Sequence, residues 1–146
     1  MRGIFIIVAA ALLSACGSAG EDDTATATAS PGEGLGPGLY RFAEKSGLCS
    51  ASDNSAAFVI YGEKDANCMA QGRIETADNG DMAFVPRGDD HCRIPIEDRG
   101  QSIILGDGGK ACAYYCGGEA RYAGRELIKK WGEEPDLRDA AGDSIC

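Results

Sequence analysis

Six of the seven cysteines, Cys49, Cys68, Cys92, Cys112, Cys116 and Cys146, fall between positions 49 and 146, and the seventh, Cys16, stands apart behind an apolar run. An even set of cysteines in an exported chain reads as a disulfide framework, which restricts the fold to a small, loop-rich domain held by bridges. Three bridges are expected. Sequence alone leaves their connectivity open. The preferred set is Cys49 with Cys68, Cys92 with Cys112, and Cys116 with Cys146, the last tying down the C-terminus.

Export is argued from the first sixteen residues. Arg2, the apolar run from Ile4 to Leu13, and the small residues Ser14 and Ala15 form the three parts of an export signal over positions 1–15. That run is too short to span a bilayer, which takes roughly 20 apolar residues, and Gly17, Ser18 and Gly20 interrupt any continuation. Leu13-Ser14-Ala15-Cys16 resembles the lipobox of bacterial lipoproteins. The resemblance implies cleavage before Cys16, a diacylglycerol on its thiol and acylation of the new amino group. Several acyl chains hold a protein on a membrane far better than one. In such families an aspartate after the cysteine favours the inner membrane; Gly17 occupies that place, so the expectation is a lipid-anchored protein of the cell envelope, on the outer membrane and facing the periplasm or the surface.

Positions 16–38 read as the lipidated cysteine and a disordered tether. Thr24 to Ala29 alternate threonine and alanine, proline and glycine follow from Pro31 to Gly38, and Leu35 is the only large apolar side chain between Gly17 and Gly38. Such a stretch cannot bury enough surface to offset its chain entropy. The remainder, 39–146, is one domain with 19 acidic and 13 basic residues, a net charge of −6 within a chain of −9. Acidity argues against nucleic acid, whose binding rests on lysine and arginine neutralising phosphates. It would suit a basic protein partner.

Short β-rich runs recur about every ten residues. Strands are expected at 39–42, 57–61, 69–76, 82–86, around Cys92, Ile94 and Ile96, at 102–105 and at 110–116, with a polar turn at 44–47. Asn79-Gly80 between the third and fourth of these is a strong hairpin signal. Pro95 lacks a ladder donor and predicts an edge or bulged strand there. In the last strand Cys112, Tyr114 and Cys116 would share the inner face. The period then changes: Ala120, Ala123, Leu127 and Trp131 fall three or four apart, with Glu119 before them and Lys129 and Lys130 near the end, predicting a helix despite Gly124. The expected fold is mainly β, a small antiparallel meander or barrel with one C-terminal helix, stapled by disulfides.

Catalytic signals are sparse. His91 and Cys92 are neighbours, which on a strand sends them to opposite faces and spoils a thiol–imidazole pair. Cys112 and Cys116 with His91 and Cys92 make a poor zinc set, and disulfides are the stronger expectation in an oxidising compartment. No paired carboxylates, calcium loop or phosphate-cradling glycine loop stands out, so neither cofactor nor metal is expected. The favoured reading is a non-enzymatic binding or structural module of the envelope. Tyr115, Asp89, Asp90 and His91 are its candidate partner contacts, presented with the loops 63–67 and 87–91. The composition and architecture are also loosely similar to the membrane-bound lysozyme inhibitors, a resemblance that implies an eight-stranded barrel blocking a basic hydrolase. A further alternative is a thiol oxidoreductase working through Cys112 and Cys116.

Overall fold

The structure is a computed structural model that describes residues 34–146. The expected signal segment, Cys16 and most of the expected tether lie outside the described residues. Eight antiparallel strands run in chain order around a closed barrel: β1 (Gly38–Ala43), β2 (Ser46–Ser50), β3 (Ser55–Tyr61), β4 (Asn67–Thr76), β5 (Met82–Pro86), β6 (Ile94–Asp98), β7 (Ser102–Leu105) and β8 (Glu126–Lys130). β8 pairs with β1, placing Tyr40 opposite Lys129 and Arg41 opposite Ile128. Closure removes the free edges that an open seven-stranded meander would expose.

Alternation along each strand fills the barrel. Tyr40, Leu48, Phe58, Ile60, Ala70, Ile74, Phe84, Ile94, Ile96, Ile103, Leu105 and Leu127 form one buried cluster. The Phe58 ring meets Phe84 edge-on at 5.1 Å between centroids and Tyr122 at 5.7 Å. Eight strands enclose just enough width for such side chains to meet across the axis. Gly72 on β4 is required here: a Cβ would overlap the Val85 carbonyl oxygen and lie 2.8 Å from Pro86 Cα.

The two ends are closed differently. Leu35 is buried at the end where the described chain begins, where the Ser50 hydroxyl donates to the Gly36 carbonyl at 2.8 Å. Folding therefore starts a few residues before position 39. The opposite end is covered by the long β7–β8 connection, which holds a 3-10 helix (Lys110–Tyr115) and the buried Ala120 and Tyr122.

Several expectations need correction. Positions 110–116 are not a strand: the Cys112 amide donates to Gly109 and the Cys116 amide to Ala113, the tight pattern of a 3-10 turn. The predicted helix from Glu119 to Trp131 is absent. Gly118 and Gly124 take positive φ, and β8 follows with Leu127 inward and Ile128 outward. The turn expected at 44–47 is only two residues, because Ser46 already begins β2. β6 is not at an edge. Pro95 stands opposite Ala83, and its carbonyl accepts from Gly106 N just beyond the last β7 residue, so the missing donor faces a ladder that has already ended.

Three disulfides are present, and only Cys92–Cys112 was among the preferred pairings. The others are Cys49–Cys146 and Cys68–Cys116, not Cys49–Cys68 and Cys116–Cys146. Cys116 forms a bridge pair with Cys68 at the start of β4, and Gly117 N donates to Asn67 O, so the covering connection is stitched to the wall on that side. Cys92–Cys112 holds it to the β5–β6 loop. Cys49 belongs to a second, outer cluster with Leu39, Ala57 and Val59, which Leu137 and Ile145 of the C-terminal segment cover before Cys146 bonds to it.

Candidate functional site

The best-developed exposed cluster lies on the covered end of the barrel, where the 3-10 helix meets the β5–β6 loop. Pro86 ends β5, and Gly88 takes the positive φ of 79° that turns the chain back. Asp89 then organises the loop. One of its carboxylate oxygens accepts from the backbone amides of His91 (3.1 Å) and Cys92 (3.3 Å), and the other accepts from the Tyr115 hydroxyl at 3.2 Å. Burial, then the hydrogen bond to Asp89, holds the Tyr115 phenol above its ordinary pKa. Such a phenol stays a neutral donor across the physiological range.

Tyr114 stands beyond it with 90% of its surface exposed, its ring edge-on to Tyr115 at 5.4 Å. The expected roles of the two tyrosines are thus exchanged. A strand would have turned Tyr114 inward with Cys112 and Cys116, whereas the 3-10 turn buries Cys112 and leaves Tyr114 in solvent. Among the predicted contacts, the structure joins Tyr115 and Asp89 directly and places His91 on the same loop. Asp90 is drawn aside to Arg73 at 3.0 Å. The residue that sequence reasoning assigned to the interior, Tyr114, is the most exposed aromatic of the patch. Gly108-Gly109 before the 3-10 helix was the available signal, because Gly109 has φ 66° and a Cβ at Gly108 would overlap the Cys112 sulfur.

The outer face of β4 and the β5–β6 loop share a charged cluster. Arg73 contacts both Glu75 and Asp90, and Arg93 reaches Glu75 at 2.6 Å. Arg93 and then Arg73 hold the Glu75 carboxyl below its usual range. Surface hollows lie outside the barrel among the described residues. One of about 320 Å³ runs between the β2–β4 wall and Pro135, Ser144, Ile145 and Cys146, with Arg87 at its margin. A second of about 900 Å³ lies between the β1–β2 turn and the 136–142 segment. A third, about 520 Å³, follows the β1–β8 seam.

Cys112 and Cys116 belong to different bridges, and Cys68, Cys92 and Cys112 are fully buried. A redox couple between Cys112 and Cys116 would require both bridges to exchange first. The same bonds occupy the sulfurs that a zinc site with His91 and Cys92 would use. No model of a known family, no curated protein and no solved structure matches the chain.

Proposed function

We propose that this chain is a lipid-anchored protein of the bacterial cell envelope whose barrel is a rigid, non-enzymatic module that binds a protein partner through the covered end. The observation that carries this reading is the filled barrel axis. With Phe58, Phe84 and Tyr122 in ring contact, recognition falls to the exterior rather than to an enclosed ligand. Cys68–Cys116 fixes the turn of Tyr114 and Tyr115 to the wall and Cys92–Cys112 ties it to the loop of Asp89 and His91, so presenting this surface costs little ordering on binding. Exposed aromatic side chains on a rigid base are the usual anchors of protein interfaces. Cys16 is the anchor, and the end with Leu35 is the one nearest to it in the chain.

A photo-crosslinking residue placed at Tyr114 in the full chain, expressed in cells, tests the reading. One discrete adduct at position 114, absent with the same group at Asp53 on the opposite end, is expected. Equal labelling at both positions, or none at 114, contradicts it.

The second reading is inhibition of a basic hydrolase such as lysozyme. It is supported by the eight-stranded closed barrel and by the acidic balance of the domain. Purified protein should then slow cell-wall lysis by a basic lysozyme in a salt-dependent way, and unchanged lysis at excess protein removes that reading.

A further inference from the structure

We infer that the β1–β8 seam is the face with which the anchored domain rests on the phospholipid surface that holds it. The inference deepens the lipoprotein reading above and depends on it.

The chain enters β1 beside β8, although its first described residue, Gly34, lies across the same end of the barrel, near Asn54 and Thr76. Gly36 and Gly38 lie against the Lys129 side chain of β8, close enough that a Cβ at Gly36 would be 3.5 Å from its Nζ. Eighteen positions separate Cys16 from Gly34, a reach of at most about 60 Å even if fully extended. Acyl chains on Cys16 would therefore hold the domain within that distance of the bilayer, and the chemistry of its surface selects the face that meets it.

The seam also concentrates apolar surface. Among the described residues the exposed large hydrophobic side chains are Phe42, Met69, Tyr114, Ile128 and Trp131, and three of these belong to β1, β8 or the residue after β8. A register shift between Arg41 and Ala43 bulges β1 at Phe42, and the ring lines the seam groove with Ile128. Bulges re-aim side chains in this way. Trp131 is 70% exposed at the end where the described chain begins.

Cations accompany each ring. Arg125 lies over Phe42 at 4.6 Å and Lys129 over Trp131 at 4.4 Å, while Arg41 and Lys130 line the groove. Tryptophan with lysine and arginine is the composition of a membrane interface, where an amphipathic ring and a long basic side chain both find apolar and polar surroundings. The acids of the seam are Glu44, Glu126 and Glu133; Glu133 pairs with Arg41, and Glu126 accepts from the Ser102 hydroxyl. Four cations against three acids give this seam a net charge of +1 on a domain of −6, so it is the face that anionic headgroups repel least. Three side chains are too few to bind a membrane unaided, and tethering supplies the effective concentration that makes such contact count. With the seam down, the Tyr114 end is left free for a partner.

The chain contains one tryptophan, so its emission reports the seam alone. The full chain, produced with its own signal and purified in detergent, is reconstituted into phosphatidylethanolamine–phosphatidylglycerol vesicles whose acyl chains carry bromine. Mass spectrometry of the same sample reads acylation of Cys16. Expected are an acylated Cys16, a blue-shifted Trp131 emission quenched by bromine, and loss of that quenching in Ile128→Glu/Lys130→Glu but not in Met69→Glu. Acylated protein with solvent-like, unquenched emission overturns the inference and leaves the anchor standing. A blue shift without bromine quenching means that a second copy covers the seam, and quenching unchanged by the seam variant means that other residues make the contact; either overturns it. An unmodified Cys16 overturns the lipoprotein reading and this one with it.

Discussion

Replacing Phe58 by alanine should cost about 3–5 kcal/mol, the range for truncating a fully buried phenylalanine whose surroundings cannot collapse into the space. Phe58 is on the wall, Phe84 is across the axis at 5.1 Å and an interplanar angle of 80°, and Tyr122 comes from the covering connection at 5.7 Å. Leucine at the same position keeps most of the apolar volume but gives up two edge-to-face contacts. At about 0.5–1.5 kcal/mol each, these put Phe58→Leu near 1–3 kcal/mol. A double-mutant cycle with Tyr122→Leu isolates the contact between wall and cover and should return about 0.5–1.5 kcal/mol of coupling. Urea unfolding with the bridges intact, followed by tyrosine near-ultraviolet circular dichroism, measures the two Phe58 variants, Tyr122→Leu and the double variant. A loss below about 1 kcal/mol for Phe58→Ala would mean that the axis is not filled. Zero coupling would mean that the cover is not seated on Phe58.

Burial, with the Asp98 charge adding to it, pushes Tyr40 up to about 12 from its usual 10.0. A raised pKa means that the fold favours the neutral phenol, so its contribution is fully present below pH 10 and is lost as the pH rises to 12. The loss is on the order of 2 kcal/mol, and Tyr40→Phe should flatten that alkaline decline; parallel unfolding curves for the two proteins over this window would refute it. Gly72→Ala should cost at least about 2 kcal/mol in urea unfolding, because its Cβ meets rigid backbone of β5; a neutral effect would mean that β4 and β5 are not so closely paired. Tyr115→Phe should lose about 1 kcal/mol through the bond to Asp89, whereas Tyr114→Phe should be silent in stability, and equal effects would place both rings in the same environment.

What could be read from the sequence was local. Asn79-Gly80 marks the β4–β5 hairpin, with Thr76 opposite Met82 in the register. The alternation of Cys92, Ile94 and Ile96 puts all three inside. β2 was hidden because Ser46 and Gly47 look like turn residues, yet Gly47 is needed where a Cβ would overlap the Tyr40 carbonyl oxygen. The closing strand was hidden for a different reason. Leu127 and Trp131 are four apart as on a helix face, and the gain from pairing β8 with β1 is non-local. Connectivity of the bridges depends on the same closure, which brings Cys116 to Cys68 and lets the C-terminal segment cross to Cys49. For the candidate site, Asp89 and Tyr115 were legible as polar and aromatic residues near a turn. The exchange between Tyr114 and Tyr115 was not, because a 3-10 turn changes which residues share a face.

Disulfide mapping by mass spectrometry on the oxidised full chain tests the central claim most directly, because the three bridges record which strands and loops lie together. The closed, covered barrel predicts Cys49–Cys146, Cys68–Cys116 and Cys92–Cys112, with no free thiol among the six. Peptides joining Cys49 to Cys68 and Cys116 to Cys146 would contradict it, since the β7–β8 connection would then not be stitched to β4 and the C-terminal segment would not cross the outer face of β2.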